Sequence, residues 1–170
     1  MPDPTAEEMA PIFRAYGHAV YTCHLLEDAL GLLLSVIDEE RRRQNLPPRP
    51  SPIDPRSQKT IGVLFAEVRA IEYLTAPEIK QIQDAARVRN LLIHSYWDER
   101  KLQAMLTPTG RAWIVEDLEK KRIQLRDADR LVTKFVNSYL ARYGVSVESL
   151  SAHVFDEYVP DDGPPDAVLH

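Results

Sequence analysis

Apolar residues recur at three- and four-residue steps through most of the first 143 positions of this chain, and this periodicity limits what it can fold into. The clearest stretch runs from about Ala6 to Gln44. Its apolar positions fall on one helical face: Ile12, Tyr16, Val20, Cys23, Leu26, Leu30, Leu33 and Ile37. A period near 3.6 residues is that of an amphipathic α-helix. Thr5, with Glu8 three residues later, is typical of a capping box at the start of such a helix.

A proline-rich connection separates this first helix from the next. Residues 46–56 carry five prolines, which cannot continue a helix, so we expect an extended and stiff segment there. Beyond it, a second helix is predicted over 58–74 and a third over 76–97. Thr75 and Glu78 form a second capping box at the start of the third helix.

The segment Thr107-Pro108-Thr109-Gly110 predicts a break between helices, and a fourth helix is predicted to follow it and to run to about Tyr143. The residues before that break, 98–106, predict only one or two helical turns. Gly144 stands where glycine is preferred, just past a helix end. The apolar stripe of the fourth helix comprises Ile114, Leu118, Leu125, Leu131, Phe135 and Tyr139.

The end of the chain has a different character. Residues 146–159 predict one short helix, whereas the acidic, proline-rich segment 160–166 predicts disorder. No segment shows the alternation of a strand, and no internal repeat is visible. The predicted fold class is therefore all-α, an up-down helical bundle of four main helices. We assign the bundle to residues 1–144 and a C-terminal extension, a short helix and then a disordered tail, to residues 145–170.

Composition agrees with one ordinary globular domain. The chain has 170 residues, of which 28% are charged, and its net charge of −5 argues against general nucleic-acid affinity. Cys23 is the only cysteine, which excludes a disulfide framework and favours a reducing cytoplasm. The acidic start is unlike a secretory signal, and the longest apolar run, 30–37, is too short to cross a bilayer. We therefore expect a cytoplasmic protein that does not enter a membrane.

Cationic residues nonetheless cluster in two places. One cluster borders the proline-rich connection and consists of Arg41, Arg42, Arg43, Arg49, Arg56 and Lys59. The other consists of Arg87, Arg89, Arg100 and Lys101. Such runs are usually solvated helix faces, but a local basic groove on an acidic protein is compatible with a selective RNA site. On that interpretation Arg87, Arg100 and Lys101 are candidate RNA-binding residues.

The run Arg89-Asn90-Leu91-Leu92-Ile93-His94-Ser95-Tyr96 gathers four polar side chains near the end of the third predicted helix. Asn90 and His94 are four residues apart and share a helical face. Arg89 falls in the apolar arc, where a guanidinium must be paired, must reach out of the core or must lie at an interface. A structural interpretation is an ion pair with Glu27 or Asp28 of the first helix.

The functional interpretation of the same run is cleavage of the RNA backbone without a metal. His94 would act as general base on a ribose 2′-hydroxyl or as general acid on the 5′-oxygen, since histidine exchanges a proton near neutral pH. Arg89 would hold the phosphate and stabilise its added charge, and Asn90 would orient the phosphate or the imidazole. Arg87, seven residues before His94, is the substitute for Arg89. The chain has no zinc signature and no glycine-rich phosphate loop, so we expect no cofactor.

Arg89-Asn90 followed by His94 resembles the signature of the HEPN superfamily, which is arginine, a polar residue, three to five residues and histidine. With Tyr96 included, the run also resembles the motif of HepT-type toxins. The resemblance covers about residues 6–143, although only the motif is specific. It implies an all-helical, two-fold homodimer in which two motifs face each other. It further implies a metal-independent endoribonuclease that leaves 2′,3′-cyclic phosphate ends and acts as a toxin or antiviral defence effector.

By the same resemblance, Tyr96 is a possible modification or regulatory site for a partner nucleotidyltransferase antitoxin; the other interpretation is a tyrosine at the edge of the core. Two alternatives to a ribonuclease stay open. The family includes non-catalytic modules that bind a nucleotide or a protein partner. The second alternative is a helical interaction protein in which Arg89 has only a structural role. The connection 46–56 and the extension after Gly144 are longer than a minimal toxin of this type needs.

Overall fold

The computed structural model describes residues 3–47 and 74–144. These residues contain four helices, namely α1 (Ala6–Arg43), α2 (Ala76–His94), α3 (Glu99–Ala104) and α4 (Pro108–Ala141). Helix accounts for 84% of the described residues, and no strand occurs among them, so the all-α class is confirmed. The helix predicted over 58–74 lies outside the described residues except for Leu74. Most of the proline-rich connection and the whole of 145–170 lie outside them as well.

The chain divides into two compact units, Met1–Val136 and Asn137–His170, with the division inside α4. The described part of the second unit is the end of α4 and the turn that follows it. There Gly144 has a φ of 68°, the left-handed conformation that glycine adopts without steric cost, so its predicted role just past the helix end is confirmed. The domain boundary predicted after residue 144 stays a prediction.

Both ends of α1 are fixed by local hydrogen bonds. The capping box at its start is confirmed, because Glu8 N–H donates to Thr5 Oγ1 over 3.3 Å and Thr5 N–H donates to Glu8 Oε2 over 2.8 Å. At its end, Asn45 has a φ of 53° and donates its N–H to the carbonyl of Arg42. Leu46 N–H donates to the carbonyl of Arg41. The two bonds satisfy carbonyls that the helix end would otherwise leave unpaired.

Helix α1 supplies much of the core of the first unit. Nine of its side chains are buried: Ile12, Ala19, Thr22, Cys23, Leu26, Leu30, Leu33, Leu34 and Ile37. By length and composition it is also the one helix among the described residues that could cross a bilayer, and 39% of its most apolar window is buried. Glu27, Asp28 and Gly31 interrupt the apolar sequence of α1, so no uninterrupted apolar run in this helix is long enough to cross a bilayer. The same composition is typical of a core helix.

The buried row of α4 differs from the predicted stripe in its second half. Ile114, Leu118 and Leu125 are fully buried, as predicted. Beyond them, Ala128, Val132 and Val136 are buried, whereas the predicted Leu131 and Phe135 are only half-buried. The predicted stripe contained a six-residue step after Leu125, and such a step leaves the buried face of an α-helix.

Two helix boundaries also differ from the prediction. Helix α2 ends at His94 rather than near Trp97, because Ser95 has a φ of −152° and Asp98 turns to cap α3 with its carboxylate on Lys101 N–H. Helix α4 begins at Pro108, so the segment 107–110, which the sequence predicted as a break before the helix, contains its first turn. Thr107 accepts the N–H of Gly110 there, and proline at the first position has no N–H to leave unpaired.

Arg111 ties the start of α4 to the start of α1. Its Nη2 donates to Glu8 Oε1 over 2.5 Å, and its Nη1 donates to the carbonyl of Met105 over 3.1 Å. The hydrogen bonds that Thr5 donates, and next the charge of Arg111, hold the pKa of Glu8 below its usual value. One carboxylate therefore serves both the capping box and the contact between the two helices.

We predict that Gly110→Ala destabilises the protein, because a Cβ at this position would overlap the backbone carbonyl of Ala104. The expected loss is about 1–3 kcal/mol in the free energy of unfolding, the usual cost of forcing an atom into packed structure. Gly31→Ala is the matched control, since its Cβ would meet nothing within 4 Å, and alanine should raise helix stability there by about 0.5–1 kcal/mol. Urea denaturation measures both changes. Equal effects of the two substitutions would contradict the close approach at Gly110.

Candidate functional site

The last turn of α2 presents Asn90 and His94 on its exposed side. Their four-residue separation places them one above the other on the helix, as predicted. This turn is anchored from α1, because the hydroxyl of Tyr16 donates to the carbonyl of Leu92 over 2.8 Å. The exposed polar pair therefore stands on a helix end whose buried side is fixed.

Arg89 lies against this pair although its side chain is only 16% exposed. Its Nη1 is 3.3 Å from Asn90 Oδ1 and 3.4 Å from His94 Nε2. The structure thus brings the three predicted catalytic residues into one cluster. A guanidinium can only donate, so His94 Nε2 has to be the acceptor in this contact.

The carboxylate of Glu27 on α1 holds the same arginine. Arg89 Nε donates to Glu27 Oε1 over 2.7 Å, and the Glu27 side chain is 18% exposed. Of the two partners that the sequence offered, Glu27 is confirmed, and Asp28 is exposed. The second oxygen of Glu27 lies 3.3 Å from His24 Nδ1. The structural ion pair and the polar cluster of the motif are therefore parts of one assembly.

Glu27 and His24 were not identified as site residues by sequence reasoning. A signal existed, because an arginine in the apolar arc of α2 requires an anion, and Glu27 interrupts the apolar sequence of α1. His24 follows from Glu27 only through the three-residue spacing of a helix. Neither residue belongs to the motif, so motif spacing could not select them.

Tyr96 lies inside the fold, with only 1% of its surface exposed. Its hydroxyl donates to Asp117 Oδ2 over 3.0 Å, and its ring packs edge-on against Trp97 with 4.9 Å between centroids. This placement is the opposite of what a modification site needs. A nucleotidyltransferase could reach the hydroxyl only after it left Asp117, whereas the core interpretation of Tyr96 agrees with these contacts.

The environment of Tyr96 favours its neutral form. Burial, and next the negative charge of Asp117, raise the pKa of Tyr96 well above its ordinary value of 10.0. The ammonium groups of Lys101 and Lys121 lie 4.8 and 5.9 Å from the ring centre. Lys121 also pairs with Asp117 over 2.5 Å, so the carboxylate that accepts the tyrosine hydroxyl is itself compensated.

The three candidate RNA-binding residues have different surroundings. Arg87 is exposed and pairs with Asp84 over 2.9 Å. Arg100 is exposed, with its guanidinium 5.3 Å from the ring centre of Trp113. The Lys101 side chain is only 11% exposed and donates to Asp98 over 2.8 Å. Lys101 would have to leave both Asp98 and the ring of Tyr96 to reach a phosphate.

The basic run at the end of α1 is hydrogen-bonded and partly neutralised where it is described. Arg42 and Arg43 both donate to Glu39, and these hydrogen bonds lower the pKa of Glu39 to about 2. Arg41 donates to the carbonyl of Pro47 over 2.8 Å. The other members of this cluster, Arg49, Arg56 and Lys59, lie outside the described residues.

Within residues 3–47 and 74–144, no group of three or more histidine, cysteine, aspartate or glutamate side chains is arranged to hold a metal ion. Comparison with protein-family models gives no match. Comparisons with curated proteins and with solved structures give none either. The assignment of a function therefore depends on the residues of this chain and on the resemblance carried by the motif.

We predict that Tyr96 makes the protein less stable as the pH rises above about 10. Below that pH the tyrosine is protonated in both states, so its contribution is constant. Above it the unfolded tyrosine ionises while the folded one keeps its proton, and the free energy of unfolding falls. Tyr96→Phe should remove this pH dependence. Its slope in the wild type should be up to about 1.4 kcal/mol in the free energy of unfolding per pH unit.

Urea denaturation at a series of pH values from about 8 to about 11 measures this slope. Tyr143→Phe is the matched control, because Tyr143 is 40% exposed. Identical slopes for the wild type and Tyr96→Phe would contradict the burial of a neutral tyrosine at this position.

Proposed function

We propose that this chain is a HEPN-type, metal-independent endoribonuclease that acts as a toxin or defence effector. The observation that carries the proposal is the cluster in the last turn of α2. There Arg89 Nη1 approaches both Asn90 Oδ1 and His94 Nε2 within 3.4 Å. Arg89, Asn90 and His94 are therefore our candidate catalytic residues.

The cluster offers the groups that RNA transesterification needs. When the substrate phosphate takes the Nη1 donor of Arg89, His94 Nε2 becomes free to remove the proton of the ribose 2′-hydroxyl. The 2′-oxygen then attacks phosphorus, and the 5′-oxygen leaves with a proton supplied by a general acid. Arg89 donates to the phosphate oxygens, whose negative charge grows in the transition state. Asn90 orients the phosphate or the imidazole. The products are a 2′,3′-cyclic phosphate and a 5′-hydroxyl, and the chemistry requires no divalent ion.

A two-fold homodimer would supply the second histidine that an acid–base pair requires. In support, α1 presents Phe13, Gly17, Tyr21 and Leu25 to solvent at four-residue steps, with Tyr21 63% and Phe13 58% exposed. Exposed aromatic residues in a row are typical of a surface that meets a partner. His24 is exposed three residues after Tyr21 and lies 3.3 Å from Glu27, so a second copy whose two-fold axis passes near His24 would bring two Arg89 clusters together. The up-down bundle of four main helices belongs to the same proposal.

Recognition of RNA would rely on few cations. Arg87 and Arg100 are exposed, and they can exchange their present partners for phosphate at modest cost because surface ion pairs contribute little. Tyr96 remains our proposed regulatory site. Because its hydroxyl donates to Asp117, the fold must open locally before another enzyme can reach it. A nucleotidyltransferase antitoxin would then act on the opened form.

We predict that the wild type cleaves RNA in excess EDTA and leaves cyclic phosphate ends, and that His94→Ala and Arg89→Ala each reduce cleavage by about a hundredfold or more. Gel analysis of end-labelled RNA, with phosphatase treatment to identify the ends, measures this result. His18→Ala and Arg130→Ala are the matched controls, because His18 and Arg130 are exposed and lie outside the cluster. Both controls should keep most of the activity.

Circular dichroism must show that each variant is folded before its activity is compared. Equal cleavage by the wild type and His94→Ala would exclude His94 as a catalytic residue. An Arg87→Ala variant that loses activity while Arg89→Ala keeps it would move the phosphate-binding role to Arg87. Nucleotide binding without cleavage would instead favour the non-catalytic module.

We predict that Tyr21→Arg weakens the homodimer, because it places a charge at the centre of the exposed row on α1. Leu102→Arg is the matched control, since Leu102 is 52% exposed and lies on α3. Sedimentation equilibrium measures the dissociation constant, which should rise about tenfold or more for Tyr21→Arg only. A wild type that stays monomeric at all concentrations would exclude the homodimer.

A further inference from the structure

We infer that Glu27 is a positioning residue of this site: it holds Arg89 by one edge so that the other edge receives the phosphate beside His94. The inference rests on the proposed ribonuclease function and adds to it a residue from α1, outside the motif. Glu27 itself touches neither the phosphate nor the reacting atoms. Its role is to fix where the guanidinium of Arg89 points.

The two edges of the guanidinium have different partners. On the side edge, Nε donates to Glu27 Oε1 over 2.7 Å. On the terminal edge, Nη1 lies 3.3 Å from Asn90 Oδ1 and 3.4 Å from His94 Nε2, and Nη2 makes no hydrogen bond to any described residue. A planar guanidinium gripped at Nε cannot rotate its terminal edge away from His94 without breaking that bond. The terminal edge is also the shape that binds two phosphate oxygens at once.

Glu27 is the only carboxylate that pairs with Arg89 among the described residues. Both side chains are more than four-fifths shielded, at 16% and 18% exposure, so the pair is screened less by water than an ordinary surface pair. Burial, and next the charge of Glu27, raise the pKa of the neighbouring Cys23 thiol to about 12. The thiol therefore stays neutral and does not compete as a second anion for Arg89.

The other oxygen of Glu27 faces His24, whose ring nitrogen Nδ1 lies 3.3 Å away. The His24 side chain is 63% exposed, so this contact is weaker than the one to Arg89. Glu27 thus connects the buried side of the site to the solvent-exposed turn of α1. Its principal partner is Arg89.

A purely structural ion pair and a positioning residue differ in what they do to catalysis. If Glu27 only stabilises the fold, a folded variant should bind and cleave RNA normally. If Glu27 aims Arg89, its loss frees the guanidinium to hold the phosphate in several poses, of which few lie beside His94. Binding should then change little while the rate of the chemical step falls.

The experiment compares Glu27→Ala, Glu27→Gln and Asp28→Asn in the full-length chain. Asp28→Asn is the matched control, because it removes one negative charge from the next position of α1, where the side chain is exposed. Glu27→Gln keeps an oxygen that can accept from Arg89 Nε but removes the charge, which protects the test if Glu27→Ala does not fold. Circular dichroism and thermal unfolding establish the folded state of each variant.

Two quantities are measured in EDTA for each variant. One is the single-turnover rate of cleavage at saturating enzyme, and the other is the dissociation constant for a 2′-O-methyl RNA of the same sequence, which cannot be cleaved. We expect Glu27→Ala to lower the rate by about tenfold or more while the dissociation constant changes by less than about threefold. The cleavage rate of Glu27→Gln should lie between those of Glu27→Ala and the wild type. The cleavage rate of Asp28→Asn should match that of the wild type.

The inference is overturned if folded Glu27→Gln and Glu27→Ala cleave as fast as Asp28→Asn. It is also overturned if the affinity falls while the single-turnover rate at saturating enzyme stays unchanged, since the charge would then contribute to binding alone. In both cases a wild type that cleaves RNA keeps the proposed function intact. A wild type that neither binds nor cleaves any RNA overturns the proposed function, and the role of Glu27 with it.

Discussion

Two tyrosine hydroxyls fix the end of α2, and the candidate site depends on them. Tyr16 of α1 donates to the carbonyl of Leu92, and Tyr96 donates to Asp117 of α4. Both bonds lie in the interior or at its edge, where a lost partner leaves a polar group unpaired at a cost of about 1–3 kcal/mol. Because the first anchor lies within the run from Arg89 to His94 and the second lies two residues beyond it, the polar cluster rests on backbone that has little freedom to move.

Arg89 shows how one side chain can satisfy a structural and a chemical demand together. A largely buried guanidinium needs an anion, and Glu27 provides it at Nε. The same guanidinium has further donors on its other edge, and one of them faces Asn90 and His94. The structural ion pair and the catalytic arginine were alternatives at the level of sequence, but the geometry makes them compatible because they use different nitrogen atoms.

The charges near the site are balanced locally, which bears on how RNA would be selected. Arg87 pairs with Asp84, Lys101 with Asp98, and Arg42 with Glu39. With a net charge of −5, the chain offers no broad positive field to attract nucleic acid. Under the proposed function, selectivity would therefore come from shape and from a small number of exposed cations. An acidic protein with a compact site suits a nuclease that must not cut every RNA it meets.

The sequence by itself determined the all-α class, the start and end of α1 and the glycine that follows α4, because these depend on periodicity and on groups within four residues of one another. It also identified the residues of the cluster at the end of α2 and offered Glu27 or Asp28 as the partner of Arg89. Only the tertiary structure decided which face of the second half of α4 is buried, that Tyr96 points inward to Asp117, and that Glu27 shares a site with His94. These features depend on contacts between residues from 18 to more than 60 positions apart, such as Tyr96 with Ile114 and Arg89 with Glu27. Helical spacing describes one helix at a time, and the packing of helices against one another decides the rest.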